Sequence, residues 1–460
     1  MSLLSRLFTI PAQTVRPRAR HTQRAGFDAV TGVHGRRGSG MGIYHRHGTE
    51  TVLSGPVLRV RARHLAANNP WISQAVANWV GALAGTGINP TPQHREADTR
   101  AGLAGLWTQW GEEADADGRT DVWGLQAEIA RCLVVDGEAF VQLLDTPEGP
   151  RLRLLPPELV DESLTRELAD GRYIVSGVEF AADGTRAAYW VLPAKPTDTF
   201  ATSASPVRIP AAEILHVFKP LGPGQVRGVS WLAPVILSAS DFDQLCDALL
   251  MGAKVAAMHA GFLTDMNGTA GEPYDGTEAG GIMESGLEPG TLKRLPSGLD
   301  VKFNSPAQAQ ELGAFLRLNL RQLAAGLGLP SHLLDGDLSD ANYSSLRAGL
   351  LPFRQRCEQV QYGVFVPQLL NPIWRRVVAW GVLSGALDAP DYESDPRAYR
   401  AEWLPPAWQQ VDPLKDTQAT VAEIEAGLTS RRKAVAARGW ALEDLDSEIA
   451  ADGWPKGASE

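Results

Sequence analysis

Two stretches decide the architecture: Ser240-Asp-Phe-Asp-Gln-Leu-Cys-Asp-Ala-Leu-Leu-Met-Gly-Ala-Lys-Val-Ala-Ala-Met-His-Ala260 and Ser305-Pro-Ala-Gln-Ala-Gln-Glu-Leu-Gly-Ala-Phe-Leu-Arg-Leu-Asn-Leu-Arg-Gln-Leu-Ala-Ala-Gly-Leu327. In the first, Phe242, Leu245, Leu249, Ala253 and Ala256 recur at helical spacing. Ser240 suits the cap, Asp241 and Asp243 suit the positive end of the helix dipole, and Gly261 suits the exit. At 1.5 Å per residue this predicts a rod of roughly 30 Å. In the second, Ser305 is the expected cap and Pro306 the first helical residue. Leu312, Phe315, Leu316, Leu320, Leu323 and Leu327 form its apolar stripe, and Gly326, Gly328 and Pro330 end it. Between them, residues 262–304 carry Gly and Pro punctuation around short apolar pieces, Leu292 to Leu295 and Asp300 to Phe303. The pattern predicts two helices with a small β-containing module at their tip.

Upstream, residues 56–235 read as one α+β unit. Val57 to Trp79 has helical spacing, broken at Asn68-Asn69-Pro70, and Thr120 is the expected cap of a helix carrying Leu125, Ile129 and Leu133. From Glu138 the period becomes two. Ala139 to Leu144 and Arg151 to Leu155 read as strands, as do Tyr173 to Phe180 and Thr185 to Leu192 around Asp183-Gly184, and Val207 to Phe218. Downstream, residues 331–343 read as a polar loop. Ser344 to Leu387 reads as helix bent at Pro352, Pro367 and Pro372. After a connector at 388–413, Asp416 to Ala437 reads as a last amphipathic helix, with frayed residues beyond it. Residues 1–55 lack periodicity and read as an arm.

Charge is uneven. Residues 1–64 hold eleven Arg, no Lys, and only Asp28 and Glu50, so that segment is +9 within a chain of net charge −10, leaving −19 for residues 65–460. A basic arm for nucleic acid or an acidic partner is one reading, and a solubilising leader the other. The acidic remainder argues against a protein that grips DNA over most of its surface, because phosphate neutralisation needs clustered Lys and Arg. A length of 460 residues suggests about three modules. Cys132, Cys246 and Cys357 are too few and too scattered for a disulfide framework or a zinc ribbon. The arginines after Ile10 do not suit a signal peptide, and no apolar run reaches the roughly 18 residues of a membrane span. A soluble intracellular product with no membrane partner is the expectation.

Chemistry is scarce. Gly35-Arg-Arg-Gly-Ser-Gly-Met-Gly42 lacks the ending of a phosphate loop and reads as linker. His45 and His47 have no third ligand at suitable spacing. Asp335-Gly-Asp337-Leu-Ser339 imitates the start of a calcium loop, but position six is Asp340 and position twelve is Leu346, so the match fails. His216, on the strand-like run Glu213 to Lys219, reads as a structural histidine. No G-x-S-x-G, H-E-x-x-H or Walker A motif is present. The chain reads as a non-enzyme without metal or cofactor.

Several segments, in order, resemble the lambda-type family of tailed-phage portal proteins. These are Arg61-Ala-Arg-His-Leu-Ala-Ala-Asn-Asn-Pro70, Gly137-Glu-Ala-Phe-Val141, Ile214-Leu-His-Val-Phe218 and Gly224-Gln-Val-Arg-Gly-Val-Ser-Trp-Leu-Ala-Pro234. Leu287-Glu-Pro-Gly290, Ala324-Ala-Gly-Leu-Gly-Leu-Pro330 and Asp337-Leu-Ser-Asp-Ala-Asn-Tyr-Ser-Ser345 follow. The most specific residues are Gln225, Arg227 and Gly228, and Asn342, Tyr343, Ser344 and Ser345. The resemblance covers roughly 55–385.

The resemblance implies a portal-type α+β fold and a homo-oligomeric ring, commonly of twelve subunits, at one capsid vertex of the virion. Double-stranded DNA passes through such a ring during packaging and ejection. The terminase large subunit, major capsid and scaffold proteins and head-completion adaptors are its implied partners. In those terms 1–55 is a basic arm, 56–235 a wing and 236–261 the first stem helix. Residues 262–304 are a clip, 305–330 the second stem helix, 331–345 a tunnel loop, and 346–460 a C-terminal helical region with a small crown. Asp335, Asp337, Asp340, Asn342 and Tyr343 are the expected channel-facing residues. Phe242, Leu245, Leu249, Leu312, Phe315, Leu316 and Leu320 are expected in the stem or between subunits. Two other classes stay open on the residues alone: a metal-dependent nucleic-acid enzyme using the acidic 335–340 loop, and a capsid adaptor that forms no ring.

Overall fold

Residues 26–31, 44, 46–193, 205–257, 309–339, 342–408, 413–440 and 442–452 are described by the computed structural model, with four short strands between 262 and 295. A single turn, α1 (Asp28–Thr31), precedes α2 (His47–Asn68) and α3 (Pro70–Leu83). The break between the long helices falls where the sequence predicts it. Asn69 leaves helical geometry, its side chain accepts from the Ile72 amide at 3.0 Å, and Pro70 opens α3. The start of α2 corrects the expectation of an arm to residue 55. Gly48 and Pro56 both lie within this helix, and a Cβ at position 48 would come 2.4 Å from the Gly224 carbonyl oxygen, so α2 approaches that loop only with glycine there. Burial of Glu50, Thr51 and Ser54 holds this first part of α2 to the body.

Strand β1 (Asn89–Pro92), α4 (Ala97–Glu112) and α5 (Val122–Val135) follow. The α5 cap is Asp121, not Thr120; its carboxylate accepts from the Gly124 amide at 2.7 Å. Strands β2 (Glu138–Thr146) and β3 (Gly149–Leu155) form the predicted hairpin. Next come β4 (Arg166–Glu167), β5 (Tyr173–Val175), β6 (Val178–Phe180), β7 (Arg186–Val191), β8 (Val207–Pro210) and β9 (Ile214–Phe218). Two expected strands are each split. Tyr173 to Phe180 reverses at Ser176-Gly177, both at positive φ, so β5 and β6 pair antiparallel. Val207 to Phe218 turns at Ala211–Glu213, which sends β8 into the five-stranded sheet β4-β5-β6-β7-β8 and β9 into the three-stranded sheet β3-β2-β9.

Helix α6 (Ile236–Ala257) starts one turn before Ser240, which therefore lies inside it. Its expected exit at Gly261 is outside the described residues. Between the helices, β10 (Phe262–Thr264) pairs parallel with β13 (Lys293–Leu295), and β11 (Thr277–Ala279) pairs antiparallel with β12 (Ile282–Glu284). The pieces at 287–290 and 300–303 and the cap Ser305-Pro306 are also outside the description. Helix α7 (Ala309–Leu327) ends on Gly328 at φ +72°, where the Leu329 amide bonds the Ala324 carbonyl and the Gly328 amide the Ala325 carbonyl.

The expected loop at 331–343 contains a short helix, α8 (Ser331–Asp335). Helix α9 (Tyr343–Val360) then runs through a π-helical segment, Gln361–Leu370, into α10 (Asn371–Leu383). Pro352 sits within α9, Pro367 within the wider π turn, and Pro372 at the start of α10. Strand β14 (Ala401–Leu404), inside the expected connector, pairs with β1 more than 300 residues earlier. The expected last helix is divided into α11 (Pro413–Glu425) and α12 (Arg431–Ala436), and α13 (Leu442–Ala451) occupies the supposedly frayed end.

One large core joins α3, α4, α5, α9 and α10 to the three-stranded sheet. Trp107 is its pivot, with ring centroids 5.0 Å from Trp110, 5.7 Å from Trp374 and 5.5 Å from Trp403. A smaller core under the five-stranded sheet gathers Phe140, Val160, Val178 and Tyr189.

Candidate functional site

Three of the sequence segments singled out above meet at one buried point. Glu138 opens β2, His216 lies opposite Phe140 on β9, and Arg227 lies on the loop leading to α6. All three are buried. The Arg227 guanidinium reaches Glu138 through Nε at 2.9 Å and Nη2 at 2.7 Å. It also donates to the carbonyls of Ser176 and Pro157, both at 2.9 Å, and to Glu162 at 3.2 Å. Arg59 of α2 bonds Glu138 at 3.1 Å and Glu162 at 2.7 Å. His216 Nε2 lies 2.9 Å from Glu138, and the Gly228 amide donates to the same carboxylate at 2.7 Å. Gln225 braces the loop, accepting from the Leu221 amide at 2.7 Å and donating to the Arg227 carbonyl at 2.8 Å.

Two guanidiniums and two carboxylates balance here. Burial alone would raise the Glu138 carboxyl; the Arg227 charge and the His216 bond overcome it and hold that carboxyl far below the usual carboxylate range. Burial pushes the His216 imidazole down to about 4, against the pull of Glu138. The ring is therefore neutral at pH 7. A carboxylate only accepts, so Nε2 carries the proton, and Nδ1 is left buried without a partner among the described residues. Backbone packing needs glycine at this point. Gly137 has φ +90°, and a Cβ there would lie 2.0 Å from the Val229 carbonyl carbon. At Gly228 a Cβ would lie 2.2 Å from the Gly137 oxygen. Glu138, His216 and Arg227 are buried, while Glu162 at the edge of the cluster is partly exposed. The cluster clamps α2, the three-stranded sheet, the base of the five-stranded sheet and the entry to α6. The family-like segments named Arg227 and Gly228, and the strand-like run Glu213 to Lys219 read His216 as structural. Arg59, Glu138 and Glu162 were not singled out as site residues; the one local signal was a carboxylate heading a strand that is otherwise apolar.

From this clamp α6 runs outward for about 33 Å. Phe242 is buried against Trp71, with centroids 5.0 Å apart, and Leu245 packs on the core. Leu249 is half-buried, while Leu250 and Met251 are 54% and 58% exposed. Helix α7 packs against α6 and divides its stripe. Leu312 is half-buried, Leu316 and Leu320 pack on the core, and Phe315 and Leu318 are 50% and 63% exposed. Trp79 fixes the inner end of α7 by donating from Nε1 to the Leu327 carbonyl at 3.0 Å.

The acidic loop follows. Asp335 ends α8, and its carboxylate accepts from the Asp337 amide at 3.0 Å. Asp337 accepts from the Ser339 amide and hydroxyl, which hold its carboxyl below the ordinary aspartate range. Asp340 lies outside the described residues. Asn342 is exposed and its carbonyl accepts from the Leu346 amide, while Tyr343, Ser344 and Ser345 form the first turn of α9. Asp335 and Asp337 thus serve as successive turn acceptors. Among the described residues no group of three His, Cys, Asp or Glu is placed to hold a metal ion. No described helix is long and apolar enough to cross a membrane.

Among known proteins, the chain is similar to a probable portal protein of Halomonas phage phiHAP-1, 27% identical over 375 residues, covering 78% of this chain and 71% of the relative. It is similar to the portal protein of Escherichia phage N15, 25% identical over 446 residues, covering 82% and 80% respectively. The neck of an empty gene transfer agent particle covers 87% of this chain and 96% of its own at 16% identity, with a TM-score of 0.41. The family model for phage portal proteins of the lambda family matches residues 34–361, well over half of the chain, and the chain belongs to that family.

Proposed function

We propose that the protein assembles into a closed homo-oligomeric ring, of twelve subunits, at one capsid vertex of the virion. The ring is the conduit for double-stranded DNA in packaging and ejection. It is a docking platform for the terminase large subunit and later for head-completion proteins, within a shell of major capsid and scaffold proteins. It is a passive channel, not the motor and not an enzyme. The observation that carries this reading is the outer α6–α7 pair of a lambda-family portal chain, where Leu250, Met251, Phe315 and Leu318 face solvent in the isolated subunit. Exposed side chains of that size favour burial, and a heterologous contact between copies that closes by rotation supplies it.

In this reading residues 56–235 form the wing, 236–261 and 305–330 the stem, 262–304 the clip and 331–345 the tunnel loop. The turn at Asp335 and Asp337 presents carboxylates, and the charges of Arg317 and Arg321 on α7 act on Asp337, so the local charge is mixed and phosphates slide past it rather than bind tightly. Negative-stain electron microscopy with native mass measurement tests the ring. Annular particles with a central channel and a mass near twelve subunits are expected. A uniform monomer, with or without scaffold and capsid proteins, would overturn it. Deleting 335–342 is expected to spare rings and impair packaging or retention of DNA; normal packaging and retention would remove the loop from the mechanism.

A further inference from the structure

Between α10 and β14 lies a cavity of about 550 Å³ that neither the α6–α7 pair nor the buried clamp uses. Its floor is aromatic and rigid. Trp374 and Tyr399 are buried, Trp374 Nε1 donates to the Tyr399 carbonyl at 2.7 Å, and Tyr392 meets Tyr399 edge-on with centroids 5.3 Å apart. Its lining includes three exposed arginines, Arg375, Arg397 and Arg400. Among the described residues none of the three guanidiniums pairs with a carboxylate; Arg375 commits only Nε, to the Asn371 carbonyl at 3.2 Å. The contrast is local. Arg376, the next residue, forks onto Asp145, and Arg95 reaches Asp391 nearby. Asp388, Asp391 and Glu96 also act on Tyr399 at the floor, so the attraction for an anion is local to the three guanidinium tips rather than spread over the whole opening.

We propose that this cavity binds an acidic peptide segment of a partner protein, which inserts an aromatic or large aliphatic side chain between flanking carboxylates. The volume lies within the roughly 300–1,000 Å³ of pockets that enclose a ligand. Guanidinium forks match carboxylates bidentately, and the aromatic floor takes an apolar side chain face or edge on. A nucleic acid fits less well. A duplex presents phosphates on a convex rod, and a base enters such a cavity only after unstacking, at a cost of a few kcal/mol. The net charge of −19 over residues 65–460 also repels a long polyanion more than a short peptide. The cavity lies within one subunit, so the inference does not rest on ring closure, and monomer or ring serves equally for its test.

The test uses the full chain and a fluorescein-labelled peptide, Asp-Asp-Trp-Glu-Asp, read by fluorescence anisotropy at low salt. Asn-Asn-Trp-Gln-Asn and Asp-Asp-Ala-Glu-Asp are the controls. Inorganic phosphate, a short single-stranded oligonucleotide and a short duplex are the competitors. Saturable binding of the acidic tryptophan peptide is expected. The double substitution Arg397→Glu with Arg400→Glu weakens it by about tenfold or more, because each lost charge-assisted pair is a strong one. Tyr392→Ala weakens the tryptophan peptide more than the alanine peptide. An unchanged melting temperature shows that the variants fold, and Arg375→Gln is the second rim variant if the double charge reversal does not. No binding at millimolar peptide, or binding indifferent to the arginine substitutions, overturns the proposal. An oligonucleotide that displaces the peptide more effectively than unlabelled peptide does overturns the ligand class.

Discussion

Arg227 serves two carboxylates and the carbonyls of Pro157, Val160 and Ser176 from one buried guanidinium. Removing it leaves the two buried carboxylates with one guanidinium, Arg59, between them. Arg227→Met is expected to destabilise the fold by roughly 3–5 kcal/mol, measured by urea unfolding. Arg227→Lys recovers little of that, because an ammonium cannot fork onto Glu138 while holding the carbonyls. A lysine variant as stable as the parent would show that charge alone matters. His216 carries the second residue-scale prediction. Its folded-state pKa is depressed from 6.5 to about 4, so the unfolded chain takes up the proton first on acidification. The stability associated with the neutral ring is intact above pH 6.5 and is lost as pH falls through about 4, at up to roughly 1.4 kcal/mol per pH unit. Glu138, depressed as well, adds loss in the same direction at lower pH. His216→Asn should flatten the fall in melting temperature between pH 6.5 and 4; an unaltered slope would assign that fall to other groups.

At the scale of elements, the α7 stripe has two faces that sequence spacing merges into one. Leu316 packs on the core while Phe315, its neighbour, faces out. Leu316→Asp is therefore expected to lower the subunit's own stability by roughly 1–3 kcal/mol. Phe315→Asp with Leu318→Asp should leave the subunit's melting curve unchanged and abolish rings. Measuring both variants by thermal melting and native mass separates core from interface, and intact rings from the Phe315/Leu318 variant would move the interface elsewhere. The same distinction explains which elements were legible. The Asn69-Pro70 break and the β2–β3 hairpin are written in neighbouring residues. The split of 207–218 is not, because β8 and β9 part only through the sheets they join. The pairing of β1 with β14 is set by a strand more than 300 residues away, to which no local pattern points.

At the scale of the whole molecule, the basic N-terminal region is tied to the body earlier than its composition suggests. The Gly26 amide donates to the buried Glu50 carboxylate at 2.7 Å. Removing residues 2–50 thus cuts into α2, whereas removing 2–25 leaves that bond in place. The shorter truncation is expected to melt like the parent. If the arginines contact scaffold, coat or DNA, it forms procapsids poorly; normal procapsids would show that the arm is dispensable for nucleation.

The α+β class, the helix–excursion–helix order and the family are legible in the chain alone, because periodicity, turn residues and ordered short segments are local properties of it. The sequence did not decide that Glu138, His216, Arg227 and Arg59 form one buried clamp, since contacts between residues 78 to 89 apart in the chain depend on how the sheets and helices pack. Nor did it divide the α7 stripe or gather Arg375, Arg397 and Arg400 around an aromatic floor. Those arrangements follow from tertiary packing, which brings distant side chains together and sets which of them keep their water.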